Sequence, residues 1–428
     1  MAKRGSAALT ICSSAFVTLG RAQAAALGLP DLRIAVIAHP FGLLKREEVR
    51  KLAAECIEQV AALASGAQAG APTGGAKTAA GLRSAWFEVP NDLDCINRLY
   101  RERRWSDGLP VVPPTVGRVE QMLAVTPRER KETVARLAPR FGLATVERIA
   151  INAVLAGCDP DYLPVLIAAV EAIAEPQFNL QAVQTTTNPA GPWIVVNGPI
   201  ARRLEINAAI NCLGDGAWAN ATIGRALRLI LRNIGGALPG DMDRATQGQP
   251  GKFTFCCAEN EEATPWEALH VERGFAPDCN TVTVVAAEGT MNMNTHTKDA
   301  DELLRVIAET MVHPPSNEYV HGGEPWIIFA PEHARILHGA GLSKADVKQR
   351  LWEQTRMPAA RLADGERQRA QDSRRAELGT FAPDTLLPIA WRPEDIAIVV
   401  AGGPGTHSVY VPCFGNSRAV TRAIVHSG

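Results

Sequence analysis

The chain reads as an α/β protein: a small βαβα unit at the N-terminus, followed by a larger mixed α/β (α+β) domain. Three observations carry that reading. Two short apolar runs, at residues 7–11 and 32–38, flank a helical stretch, which is the pattern of a β-α-β unit. Beyond residue 85, apolar strand-like runs mix with helix-period segments without a strict repeat. The 428 residues, 46% of them hydrophobic, exceed the size at which one core stops growing, so more than one domain is expected.

The first strand runs to Cys12, and Ser13 and Ser14 open a helix over residues 14–27. A second buried strand at residues 32–38 (LRIAVIA) comes next, then a helix over residues 46–64 in which Val49, Leu52, Ala53, Cys56, Val60 and Leu63 recur at helical spacing. The Ala/Gly-rich stretch after it has a Pro-Thr-Gly-Gly turn and no periodicity, and reads as a linker. The expected division is therefore residues 1–65 for the small unit, 66–84 for the linker and 85–428 for the larger domain.

In the larger domain the spacing predicts helices over residues 93–104, 145–156 and 161–174, with Thr145 as a cap and Pro160 in the loop that starts the third. Strands are predicted at residues 180–184, 193–196, 253–257, 281–286, 326–329 and 396–400, with helices over 221–233, 299–312, 332–339 and 344–354 between them. The polar, charged stretch 357–378 is expected to be a solvated helix or a subunit arm.

A net charge of −1, with no basic run and 5% aromatic residues, points away from nucleic acid and anionic membranes. No apolar run reaches the roughly 18 residues of a membrane helix. Nine cysteines are scattered along the chain without a metal-binding C-x-x-C pair or a dense disulfide framework, which reads as a reducing compartment, by default the cytoplasm. Lys3 and Arg4, the apolar residues 7–19 and Ala22-Gln23-Ala24 also fit a secretory leader. Arg21 and the need of the second strand for a sheet neighbour argue against it. The expected partner is a small-molecule substrate, with the chain a homo-oligomer.

Cys12 is the leading candidate for chemistry. At a strand-to-helix turn it is expected to sit among unpaired N–H groups at the positive end of a helix dipole, which favours thiolate. The alternative is a buried structural cysteine. Thr186, Thr187 and Asn188, read as the end of a strand, offer donors for a carboxylate or phosphate, although turn chemistry also explains them. Asn220 or Thr222 is the expected cap of the helix that carries Arg225 and Arg228. His270 and Glu272 combine the types needed for general acid/base work or metal ligation, and lie on one side only if the segment is extended. Asn292, Asn294 and His296 form an alternating polar row, either a pocket lining or the solvent face of an edge strand. Gly403 and Gly405 follow a buried strand and are expected to shape a tight loop carrying His407 as an acid/base group.

The opening unit, with the phrases Ser106-Asp107-Gly108-Leu109-Pro110-Val111-Val112-Pro113-Pro114-Thr115, Asn197-Gly198-Pro199 and Gly402-Gly403-Pro404-Gly405, resembles the UGSC family of thiol or selenol proteins. That family carries a selenocysteine- or cysteine-Gly-Ser-Cys motif at the end of its first strand, so the resemblance implies thiol chemistry at Cys12. Here the motif reads Cys12-Ser13-Ser14-Ala15, and an internal C-x-x-C disulfide is impossible. A resolving thiol would come from Cys256, Cys257, Cys413 or an external small thiol.

Two functions therefore stand open. In the first, Cys12 is the nucleophile or redox thiol of an oxidoreductase, lyase or transferase, needs no metal or other cofactor, and meets a substrate held by the larger domain. In the second, Cys12 is structural and the larger domain is a small-ligand or metal site centred on His270, Glu272 and His296.

Overall fold

The computed structural model describes residues 8–41, 44–64, 84–314 and 316–425. The linker expected over residues 66–84 lies, apart from Ser84, outside the described residues, as do the basic residues Lys3 and Arg4.

The N-terminal unit is a βαβα unit. β1 (Leu9–Ser13) and β2 (Arg33–Ile37) pair in parallel, with Cys12 opposite Val36 and Ser13 opposite Ile37. A 3-10 turn at Ser14–Phe16 precedes α1 (Val17–Ala26), so the helix begins later than the predicted residue 14. The Val36 N–H donates to Gln59 Oε1 at 3.1 Å and Arg33 to the Leu63 carbonyl, which ties α2 (Arg46–Ala64) to β2. Of the predicted apolar stripe on α2, Cys56 alone is buried, while Val49 stays 37% exposed.

The rest of the chain begins with α3 (Leu93–Glu102), α4 (Val116–Leu123) and a hairpin of β3 (Thr133–Leu137) and β4 (Gly142–Thr145). Thr145 caps α5 (Val146–Ala156) as predicted, accepting from the Arg148 N–H. α6 (Leu163–Ala174) is followed by α7 (Leu180–Thr185), where the sequence predicts a strand. Leu180, Val183 and Gln184 are buried at helical spacing there, a period that so short a run does not separate from alternation. Next come β5 (Gly191–Asn197), α8 (Pro199–Arg203) and α9 (Trp218–Asn233). Because α9 starts before residue 221, Asn220 and Thr222 lie inside it rather than capping it; Thr222 Oγ1 donates back to the Trp218 carbonyl at 2.9 Å.

β6 (Cys256–Ala258), α10 (Leu269–Glu272), β7 (Thr281–Ala287) and β8 (Met291–Asn294) come after it, then α11 (Ala300–Met311), α12 (Asn317–His321) and β9 (Trp326–Phe329). α13 (Pro331–Gly339), α14 (Lys344–Gln354), β10 (Met357–Pro358), α15 (Asp364–Leu378) and β11 (Leu386–Leu387) lead to β12 (Ala397–Val400), β13 (His407–Val411) and β14 (Val420–Ala423). The polar stretch 357–378 is not wholly a solvated face. Arg374 of α15 is fully buried and donates to the carbonyls of Tyr319 at 3.2 Å and Pro388 at 2.6 Å.

Two four-stranded sheets form the centre, one ordered β14-β7-β5-β6 and the other β12-β9-β13-β8. Alternation along the strands sets the layers. Ile194 and Val196 of β5 point to a core shared with α5, α6 and α9, while Trp193 and Val195 join Trp326, Ile328, Ala397 and Val399 of the second sheet. On that sheet's far face, Ile327, Phe329, Ile398 and Val400 pack with α11, α13 and α14. Residues 84–425 are thus layered helix, sheet, sheet, helix. Glu318 of α12 joins the layers: it accepts from the Cys413 N–H at 3.0 Å, from Ser316 Oγ at 3.1 Å and from Tyr410 Oη, all buried.

This packing carries two expectations. Gly224 of α9 lies where a Cβ would stand 2.6 Å from the Phe255 nitrogen and closer still to Thr254 Oγ1, which is itself bonded to the Asn220 and Ala221 carbonyls. Gly→Ala inside a helix ordinarily gains about 1 kcal/mol; here overpacking of about 1–3 kcal/mol reverses the sign. Gly224→Ala should lower the urea midpoint, and a midpoint at or above wild type would mean that α9 does not rest on β6. Burial pushes the Glu318 carboxyl up to about 8. A carboxyl raised on folding binds its proton more tightly in the native state, so stability falls as pH rises from about 4.3 in the unfolded chain to that value. Glu318→Gln should flatten this part of the stability-pH curve, whereas parallel curves for variant and wild type would refute the assignment.

Candidate functional site

The joined carboxyl ends of β1 and β2 bring together residues that are distant in sequence. Cys12 is the penultimate residue of β1 and Ser13 its last, and His39 stands two residues beyond β2. The Ser13 hydroxyl and His39 Nδ1 are 3.2 Å apart, and the Phe16 ring meets the imidazole edge-on at 5.6 Å. Cys12 is half-buried; its thiol donates to the Ser13 carbonyl at 3.5 Å, and a methyl group at Gly20 of α1 would stand 3.6 Å from the sulfur. Burial therefore pushes the Cys12 thiol above its ordinary value, contrary to the expectation of a dipole-lowered thiol. The sulfur packs beside Gly20, in the first turn of α1, and burial there is the effect that prevails.

A second constellation lies at the carboxyl ends of β9 and β12, which run parallel. The antiparallel strands β13 and β8 border them and place His407 opposite Asn294. His407 Nδ1 lies 3.1 Å from Asn292 Oδ1, and His296 Nδ1 lies 3.1 Å from Thr406 Oγ1. Between them His333 of α13 is fully buried, with Nδ1 2.8 Å from Ser408 Oγ and Nε2 3.1 Å from the Thr295 carbonyl. A carbonyl only accepts, so Nε2 carries the ring proton and Nδ1 accepts from Ser408. Burial holds His333 below its ordinary value, with the neighbouring His407 and His296 adding to it. The Gly405 N–H donates to Glu332 Oε2 at 2.9 Å, and Gly403 packs so closely on Ile210 that a side chain there would collide. The structure thus brings Asn292, His296 and His407 together where β8 and β13 pair, while Gly405 is tied to Glu332 and Gly403 to Ile210.

His270 and Glu272 stand elsewhere. His270 is buried, with Nε2 3.2 Å from the Pro277 carbonyl and Nδ1 3.8 Å from Glu261 Oε1. Glu272 lies between the ammonium groups of Lys344, at 3.0 Å, and Lys348. Burial alone would raise its carboxyl, and the two cations outweigh it and hold it below the usual range. A carboxylate clamped in this way is poorly suited to passing protons. Because α10 is helical, the two side chains are not on one side as an extended segment would put them.

The Thr186–Asn188 loop comes after a helix, and its groups serve the turn. Thr186 Oγ1 accepts from the Asn188 N–H at 3.1 Å, the Thr187 carbonyl accepts from Thr246, and Asn188 Nδ2 donates to Glu288 at 2.6 Å. The expected resolving thiols Cys256, Cys257 and Cys413 are all buried between the layers, and burial raises Cys256 and Cys413.

Sequence reading passed over His39, His333 and Cys212. The first two stand just after the carboxyl ends of parallel strands, a position that marks sites in open α/β sheets and could have singled them out. Cys212 shows no such signal in the sequence. Its thiol is held below the ordinary range by a hydrogen bond from Cys257 and by the N–H groups of Cys212, Gly402 and Leu213, which outweigh burial. Among the described residues no group of three or more His, Cys, Asp and Glu is arranged to hold a metal ion. None of the described helices alone is long and apolar enough to cross a membrane. A cavity of about 500 Å³ lies between residues 84–91 and α5 and is lined by Trp86, Phe87, Tyr100 and Trp105, apart from the candidate residues.

No curated protein and no solved structure matches the chain. The UGSC family model matches residues 1–66, the segment that holds β1, Cys12, β2 and α2. The likeness to the UGSC family rests on this N-terminal unit.

Proposed function

We propose that the chain is a thiol-dependent enzyme acting on a small polar or anionic substrate, with Cys12 as nucleophile or redox thiol and His39 as its base. The observation that carries this reading is the Ser13–His39 pair, 3.2 Å apart on the strand edge where Cys12 stands in place of the family motif's first thiol or selenol. A hydroxyl within hydrogen-bond reach of an imidazole is the geometry from which proton transfer proceeds. In this reading the Cys12 proton passes to His39 through water as the sulfur attacks, since Cys12 and Ser13 are neighbours on β1 and point to opposite faces, and Ser13 fixes the ring.

A second reading, a small-ligand centre within residues 84–425, is favoured by the convergence of Asn292, His296 and His407 at the edge of β8 and β13. A His407→Ala variant that loses turnover while Cys12→Ala keeps it would select that reading. Glu272 drops out of it, because both its oxygens are taken by lysines.

Alkylation by iodoacetamide, followed at Cys12 by peptide mass spectrometry, tests the first reading without a known substrate. Since burial raises the thiol, the Cys12 rate should climb about tenfold per pH unit through neutrality and keep rising past about pH 8.5. His39→Ala should slow labelling severalfold at neutral pH. Equal rates in wild type and variant at every pH would remove His39 from the chemistry. A Cys12 that stays unlabelled at about pH 10 would end the thiol reading.

A further inference from the structure

Another cavity, about 240 Å³, opens beside α9 and is lined by Arg228, Arg232, Lys252, Asp107, Asp243 and Gln249. Its charges do not cancel. Both oxygens of Asp107 are engaged by Arg225, at 2.7 and 2.9 Å, and both oxygens of Asp243 by Lys252 Nζ, at 2.7 and 2.9 Å. The two arginines that remain face the cavity with little compensation. Arg228, 8% exposed, commits Nε to the Lys252 carbonyl and Nη1 to Gln184 Oε1, and its Nη2 reaches Asp243 only at 3.8 Å. Arg232 donates Nε to the Arg104 carbonyl at 3.3 Å, and among the described residues no carboxylate pairs with it.

Burying a cation without a partner is costly, and a fork of guanidinium N–H groups matches the oxygens of a carboxylate or phosphate. Burial holds Arg228, Arg232 and Lys252 below their ordinary values, with Arg104 adding to the effect at Arg232 and Arg228 at Lys252. The walls are firm. Gly240 and Gly248 take left-handed backbone conformations (φ +77° and +74°) that let their loops turn tightly. Gln249 Nε2 bonds the Ala287 carbonyl at 2.8 Å, and the Thr246 N–H bonds the Thr187 carbonyl at 2.9 Å.

We infer that this cavity is an anion-binding site for a small metabolite carrying a phosphate or carboxylate group, which the guanidinium groups of Arg228 and Arg232 hold against the Lys252–Asp243 wall. The volume lies just below the range of about 300–1,000 Å³ typical of drug-sized ligands, so the occupant is small. The site borders the Thr186–Asn188 loop, which ties it to the fold rather than supplying the anion contacts. It stands independently of the thiol chemistry proposed for Cys12.

Isothermal titration calorimetry on the full chain, with inorganic phosphate in one arm and succinate in the other at constant ionic strength, tests the inference. Saturable one-site uptake of either probe is expected, and the tighter one names the ligand's anionic group. Arg232→Gln should weaken it about 10- to 100-fold, since a charge-assisted hydrogen bond is lost. Arg232→Lys, which keeps the charge without the fork, should fall between, and Cys12→Ala should bind as wild type does. No saturable uptake of either probe at about 10 mM, or equal affinities for wild type and Arg232→Gln, would overturn the site.

Discussion

The face-to-face contact of the two sheets is the constraint on which the larger part of the molecule depends. Trp193 and Trp326, one from each sheet, meet edge-on at 5.4 Å, and Phe255 stacks on Trp193 at 5.5 Å. All seven residues of β5 and all four of β9 are buried, so each strand carries apolar side chains on both faces. A one-residue slip in either sheet would move Trp193 or Trp326 into a helix layer, which leaves register little freedom. The helices are then placed as covers. α5, α6 and α9 close one outer face and α11, α13 and α14 the other.

The same constraint produces the histidine edge. Because β9 and β12 are parallel and buried on both sides, their carboxyl ends emerge together, at Ala330 and Ala401. The segment leaving β9 is then held by the neighbouring strand: the Ala330 N–H and His333 Nδ1 both meet Ser408 Oγ, on β13. His407 and Asn292 are exposed at this edge, while His333 beneath them has both ring nitrogens engaged. Its neutral ring suits the positioning of Ser408 and the strand end better than the exchange of protons with a ligand.

Much of the fold was legible in the sequence because its strands are short apolar runs between clear breaks. The runs at residues 193–196, 281–286 and 326–329 all lie within strands of the two central sheets. Legibility failed where period could not be measured, as at Leu180–Thr185, where a helix of six residues imitates a strand. It failed again for charge. The sequence places Glu272 two residues from His270 and suggests a pair, but the residues that decide its state are Lys344 and Lys348, more than seventy positions away. His39 and His333 were missed for the same reason: Ser13 and Ser408, which give them meaning, are 26 and 75 residues distant. The row Asn292 to His296 was legible as an alternation, and the structure sets Asn292 and Asn294 exposed on the edge strand β8, the solvent-face alternative.

Glu272 and Asp243 each stand among several cations, and the two places differ in what the cations have left to do. Around Glu272, Lys344 and Lys348 both end on the same carboxylate, and Lys344 also bonds the Glu267 carbonyl at 2.9 Å. Those ammonium groups fasten α14 to α10, and the desolvation penalty of burying them is offset within the contact. Around Asp243 the order is different: Lys252 takes the carboxylate at close range and Arg228 is left at 3.8 Å, with Arg232 facing the same cavity from one turn further along α9. If charge were there only to hold the fold, the shorter contacts of the first arrangement would be the more stable solution. An arginine pair kept short of the nearest carboxylate, beside an open volume, retains donors that the fold does not consume, and those donors can be satisfied only by water or by an anion that enters.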